Sequence, residues 1–125
     1  MNGSNNLLDT NILLYLVGGE INERDLPAGN FAISFVTELE VLSYSFISEK
    51  DEENIKNLLG EILIVDINKE IKGHTIELRK RYKLKLPDAI VAATAVYLKA
   101  DLVTNDKEFS RVEELKAKSV PIKKG

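Results

Sequence analysis

Short apolar runs of strand length alternate along the chain with longer stretches whose apolar residues recur at helical spacing. Asn6 to Leu8 is a strand candidate, followed by a helical stretch from Asn11 to Val17 that Gly18-Gly19 stops. Glu20 to Asn30, with Pro27 and Gly29, reads as a loop, and Phe31 to Ser34 as a second strand. Val36 to Ile47 has helical periodicity, with Leu39, Leu42 and Phe46 on one stripe. Asp51 to Leu59 is a further short helix, ended by Gly60 as a capping residue. Ile62 to Val65 is an all-apolar, β-branched strand. Asn68 is placed to cap a helix reaching Tyr82 and turning Ile71, Thr75, Leu78 and Tyr82 inward. Pro87 suits the first turn of the next helix, whose Ala89, Ala92, Ala93 and Ala95 allow close packing on a sheet. Leu102 to Thr104 is a fourth strand, Phe109 to Leu115 a short helix, and Val120 to Ile122 a weak last strand. Strands separated by helices in this way predict βαβ units and an α/β fold with a parallel sheet covered on both faces.

Length and composition add a frame. The 125 residues are read as a single domain over 1–125, large enough to bury a core without staples. The chain has no cysteine, which removes disulfides and zinc–thiolate sites and fits a reducing cytoplasm. A single histidine, His74, excludes a multi-histidine metal centre within one chain and reads as a surface helix residue. The longest mainly apolar run, Ala89 to Leu98, falls far short of the roughly 18 residues a membrane span needs, so no membrane partner is expected.

Candidate chemistry lies in four acidic residues, each just past an apolar run: Asp9, Glu40, Asp88 and Asp106. In open parallel sheets ligands bind beyond the carboxyl ends of the strands. Asp9 and Asp106 follow strands there, and Asp88 opens a helix. Carboxylates converging at such an edge supply the oxygen ligands that Mg²⁺ requires. Taken singly, each acid has a plainer role, as a helix cap or a turn residue. Glu38 competes with Glu40, and spacing does not choose between them. The formal charge of −3 argues against a nucleic-acid partner, but setting the four acids aside leaves 17 basic against 16 acidic residues. Five of the basic residues, Arg79, Lys80, Arg81, Lys83 and Lys85, fall just before Asp88, and Lys116, Lys118, Lys123 and Lys124 gather near the C-terminus. The first group, if it flanks the acids, is a candidate for holding nucleic-acid phosphates.

The motifs Leu-Leu-Asp-Thr-Asn-Ile-Leu, Ile33-Ser34 with Glu40 six residues after the serine, Leu-Pro-Asp-Ala-Ile-Val-Ala-Ala-Thr-Ala and Leu-Val-Thr-Asn-Asp-Lys-Glu-Phe occur in that order from residue 7 to about residue 109. Together they resemble the PIN-domain ribonucleases, and within them the VapC-type toxins of prokaryotic toxin–antitoxin pairs. The resemblance implies a three-layer α/β/α fold with a mainly parallel five-stranded sheet. It implies an Mg²⁺- or Mn²⁺-dependent endoribonuclease, with Asp9, Glu40, Asp88 and Asp106 as catalytic residues holding one or two ions, and Asn11 and Thr104 orienting them. It also implies an antitoxin partner and a homodimer. Two departures stand out: Ser43-Tyr44 where many members carry Gly, and Asn105 before the fourth acid.

Other readings are weaker. In a receiver-like signalling domain Asp66, after Leu63-Ile64-Val65, would accept phosphate, but the adjacent acidic pair and late Lys-Pro that such domains need are missing. A haloacid-dehalogenase-type phosphatase needs a second Asp where this chain has Asn11. A PIN-fold chain that only binds a partner would have no reason to keep all four acids.

Overall fold

The computed structural model describes residues 5–45 and 48–123. Five parallel strands form one sheet in the order β3-β2-β1-β4-β5: β1 Asn5–Leu8, β2 Asn30–Ser34, β3 Leu63–Val65, β4 Asp101–Val103 and β5 Ala117–Lys118. Between them run α1 Thr10–Gly18, α2 Phe35–Leu42, α3 Glu49–Leu59, α4 Lys69–Tyr82 and α5 Leu86–Leu98. The expected three-layer α/β/α arrangement holds.

Alternation along the strands builds the two outer layers. Leu7 pairs across with Ala32 and with Leu102, and all three point into a core shared with Ile71 and Leu78 of α4 and the alanines of α5. The next residues, Leu8, Ile33 and Val103, point to the other face and pack with Ile12, Leu13, Val41 and Ile55 of α1, α2 and α3. Ala89, Ala92, Ala93 and Ala95 are all fully buried, so their small side chains let α5 lie close to the sheet.

Local punctuation follows the sequence at most element ends. Gly19 stops α1 in the left-handed region, with φ +82°, where glycine carries no Cβ penalty. The Asn68 side chain accepts a hydrogen bond from Ile71 N at 2.8 Å and opens α4. Gly60 ends α3 in an ordinary right-handed conformation. The expected loop from Glu20 to Asn30 contains one 3-10 turn, Glu23–Asp25.

Three expectations need correction. The helix predicted over Val36–Ile47 ends at Leu42, and its buried residues are Val36, Thr37 and Val41, while Leu39 and Leu42 are about half exposed. Its docking onto the sheet, directly after β2, sets the inward face rather than its most apolar stripe. Phe46 and Ile47 lie outside the described residues. The short helix predicted over Phe109–Leu115 is a 3-10 helix over Lys107–Arg111, because Val112 turns extended and Glu113 N donates to the Tyr82 hydroxyl at 3.1 Å. The last strand is Ala117–Lys118, in register with Leu102 and Val103. Val120 is instead bracketed by the Asn105 amide, which donates to its carbonyl at 2.9 Å and accepts from its N–H at 2.8 Å.

Candidate functional site

The C-terminal edge of the sheet carries a cleft of about 270 Å³ lined by Asp9, Thr10, Asn11, Leu14, Glu40, Tyr44, Asp88 and Asp106. Four segments far apart in sequence thus bring the four predicted acids to one place. Glu38, the competitor of Glu40, is not part of the lining.

Local folding positions each acid. Asp9 follows β1 directly and its N–H donates to Val103 O at 3.0 Å, extending the pairing of β1 with β4 by one residue. It is the N-cap of α1, where its Oδ1 accepts from Thr10 N at 2.7 Å. Its other oxygen accepts from the Thr104 hydroxyl at 2.7 Å. Thr104 is almost fully buried, and its Oγ1 also accepts from Asp106 N at 3.0 Å. One hydroxyl therefore fixes Asp9 and the backbone of Asp106 together. A hydrogen bond to a charged acceptor contributes about 1.5–3 kcal/mol, so this is a firm link. Asp106 caps the following 3-10 helix, its Oδ1 accepting from Glu108 N at 2.9 Å. Asp88 sits in the first turn of α5, behind Pro87. Glu40 projects from α2 and its Oε1 accepts from the Thr10 hydroxyl at 2.5 Å. Capping and site-lining are thus compatible roles, since each carboxylate has lone pairs beyond those the backbone uses.

The electrostatics mark crowding. Burial raises the Asp9 carboxyl above its ordinary range, opposed by the hydrogen bonds from Thr104 and Thr10, with Asp106 and Glu40 adding repulsion. Burial also raises Asp88, followed by the negative charges of Asp106, Asp9 and Glu40, with Lys85 pulling the other way. Asp9 and Asp88 therefore both feel the negative charges of Asp106 and Glu40.

Of the two predicted supporting residues, Thr104 bonds to Asp9. Asn11 lines the cleft but makes no hydrogen bond to the acids among the described residues. Thr37 is the support the sequence reading passed over: its hydroxyl lies 3.1 Å from that of Thr10. No local signal marks that contact, because the two residues lie 27 apart in sequence. Two members of the basic group have structural partners. Arg79 Nε donates to Leu84 O at 3.2 Å, and Arg81 pairs with Glu113 and Glu114 at 3.0 and 3.1 Å while lying over the Tyr82 ring. Lys80, Lys83 and Lys85 enter no ion pair among the described residues. His74 is half-buried on α4 and takes no part in the cleft lining. Asp66 follows β3 at the sheet's edge, exposed, with one oxygen accepting from Ile67 N at 2.8 Å.

A parallel α/β sandwich with acids gathered at the carboxyl edge of its sheet defines the class. A family model for the PIN domain matches residues 7–115, and the chain belongs to the PIN domain family. Among solved structures, a chain of a toxin–antitoxin complex from Klebsiella pneumoniae is 31% identical, with a TM-score of 0.72 over 87% of this chain and 93% of that one. A chain of VapBC-1 from nontypeable Haemophilus influenzae is 28% identical, with a TM-score of 0.75 over 92% and 97%. A chain of DNA-bound VapBC from Salmonella typhimurium, 20% identical, shares the fold with a TM-score of 0.80 over 93% and 98%. No curated protein matches the chain. Membership of this family sets the receiver-like and phosphatase readings aside. Among the described residues no helix is long and apolar enough to cross a membrane.

Proposed function

We propose that this chain, as one nuclease domain over residues 1–125, is an Mg²⁺- or Mn²⁺-dependent endoribonuclease and the toxin of a type II toxin–antitoxin pair acting in the cytoplasm. The observation that carries this reading is the convergence of Asp9, Glu40, Asp88 and Asp106, from four segments, on one cleft. The toxin–antitoxin structures it resembles support the biological setting.

The donor set fits a hard divalent cation in kind, because every charged group lining the cleft is a carboxylate. Among the described residues no three of them form a ready-made cage, so an ion would draw the carboxylates inward and offset the repulsion between them. Asp9, Asp88, Asp106 and Glu40 would hold one or two ions, which when bound supply an activated water and stabilise charge on the leaving oxygen. The chain's own contribution is orientation. Thr10 N–H and Thr104 hold both oxygens of Asp9, and Thr104 fixes the approach of Asp106. Among the described residues the cleft lining contains no serine, cysteine or histidine, and the Thr10 hydroxyl is committed to Glu40, which favours attack by water.

Within the basic group, Lys83 and Lys85 are the residues we assign to RNA phosphates, since neither enters an ion pair among the described residues and Lys85 stands at the N-cap position of the helix that bears Asp88. Reversing both charges should weaken RNA binding across sequences and flatten its salt dependence; an unchanged salt slope would exclude them. The cognate antitoxin would cover the cleft with a basic side chain, and so should lower Mn²⁺ affinity when bound. Equal affinity, free and bound, contradicts that arrangement. A homodimer is the expected assembly, and a monomeric mass by light scattering contradicts it.

The direct test is cleavage of a mixed RNA pool by the wild-type protein with Mg²⁺ or Mn²⁺ and with excess chelator. Cleavage that requires metal and disappears in Asp106→Asn supports the reading. Metal-independent cleavage, or cleavage that survives Asp106→Asn, sinks it. Absence of any cleavage by a metal-binding protein favours a PIN-fold partner-binding module.

A further inference from the structure

Glu40 differs from the other three acids in how it is held. Asp9 and Asp106 are caps fixed by backbone N–H groups, and Asp88 is fixed by the first turn of α5. Glu40 is exposed, sits two residues from the end of α2 and has a longer side chain with more rotamers to lose. Its anchor is the hydroxyl of Thr10, which lies 2.5 Å from Glu40 Oε1 and 3.1 Å from the hydroxyl of Thr37.

Hydrogen counting fixes the direction of this chain of bonds. Thr10 Oγ1 has one hydrogen, and an ionised carboxylate only accepts. Thr10 therefore donates to Glu40, and Thr37 donates to Thr10. Thr37 is fully buried, with 0% exposure, so water offers its hydroxyl no alternative partner. The comparison with the chain's other buried helical threonines is informative. Thr75 donates to Ile71 O and Thr94 to Ile90 O, each one turn back at 2.7 Å. Thr37 lies in the first turn of α2, where no helical carbonyl stands one turn back, and its hydroxyl reaches across to α1 instead.

We propose that Thr37 is a positioning residue for the metal site: through Thr10 it aims the Glu40 carboxylate at Asp9 and ties α2 to α1 at the cleft. With its single hydrogen committed in this direction, Thr10 presents a donor to Glu40, which holds that carboxylate in one orientation at the cleft. This inference rests on the metal-dependent reading above.

The test is Mn²⁺ titration by calorimetry, alongside RNA cleavage, on wild type, Thr37→Val, Thr37→Ser, Glu40→Gln and the double variant Thr37→Val/Glu40→Gln. Valine matches threonine in shape and removes only the hydroxyl. Thr37→Val should weaken Mn²⁺ binding by about 10-fold, the low end of the range for groups that orient metal ligands. Thr37→Ser should recover most of that loss, and Thr37→Val should add little in the Glu40→Gln background, because the two act as one unit. A hydroxyl that served only packing or folding would lower the melting temperature without moving Mn²⁺ affinity, and its effect would add to that of Glu40→Gln. Mn²⁺ affinity within about twofold of wild type in Thr37→Val would overturn the proposal. Should Thr37→Val not fold, Thr10→Ala breaks the same link from the exposed side and is expected to show the same loss; wild-type affinity there would overturn the proposal equally. Failure of wild type to bind Mn²⁺ at all would instead overturn the metal-dependent reading, and this inference with it.

Discussion

The two edges of the sheet make opposite kinds of hollow. Beyond the carboxyl ends of the strands lies the small acidic cleft of about 270 Å³, and at their amino ends lies a hollow of about 1220 Å³. The larger one runs between the starts of β1, β2 and β3 and the C-terminal ends of α1 and α3, with Phe31, Leu58 and Ile62 among its walls. It carries Glu23 and Glu61 beside Arg24 and Lys123, so its charges are mixed. The smaller one gathers four carboxylates and no cation. The charge of the smaller cleft follows from where strand ends and helix starts place acidic side chains. The strand-end rule for parallel sheets points to the smaller cleft as the proposed site, and volume does not.

That contrast is exposed to tests of decreasing size. Asp9→Asn should reduce metal-dependent RNA cleavage by at least about 100-fold, exceeding what loss of a residue that merely supports a ligand costs. Glu61→Gln, an equal loss of charge at the other edge, should leave cleavage within about twofold. Equal effects at the two edges would abolish the distinction. Thr104→Val should lower Mn²⁺ affinity and cleavage by about 10- to 100-fold, since Asp9 loses the hydroxyl that orients its second oxygen. Wild-type affinity in that variant would show that the backbone alone positions Asp9.

The smallest effect concerns stability without metal. Asp88 has its carboxyl raised above the ordinary 3.8, first by burial and then by its acidic neighbours. The folded state thus binds its proton more tightly than the unfolded chain. Its contribution to stability is fully present below the unfolded value and is lost as pH rises through the folded one. Asp88→Asn should therefore melt higher than wild type at neutral pH in chelator, with the gain closing as pH falls below about 3.8. Adding Mn²⁺ should reverse the order at neutral pH, because the ion stabilises only the chain that binds it. A neutral-pH loss of stability in chelator would mean that the attraction of Asp88 to the α5 dipole outweighs burial and repulsion.

Much of this was legible in the sequence for physical reasons. The strand–helix alternation is encoded in periodicity, and caps such as Asn68 and Gly19 are local, so element order and the parallel sheet could be read directly. The strand-end rule, which needs only the topology, singled out Asp9 and Asp106, while Asp88 and the choice of Glu40 over Glu38 rested on the motifs that resemble the PIN-domain family. What could not be read depends on contacts between distant segments. The inward face of α2 is chosen by docking, which buries Val36, Thr37 and Val41 and leaves Leu39 outside. The burial of Val120 is achieved by a side chain, Asn105, rather than by a strand. Arg79 and Arg81 look like solvated cations in sequence, but the fold brings Leu84, Glu113 and Glu114 to them. The Thr10–Thr37 contact joins residues 27 apart, beyond any local pattern.

The measurement that tests the central claim most directly is Mn²⁺ binding by calorimetry and thermal unfolding on wild type, Asp88→Asn and Asp66→Asn. Both variants lose one carboxylate at the carboxyl edge of the sheet, but only Asp88 lines the cleft. Binding and stabilisation that disappear in Asp88→Asn and persist in Asp66→Asn are the result expected of a metal held by the four acids. Binding that survives Asp88→Asn, or that fails in Asp66→Asn instead, would contradict it.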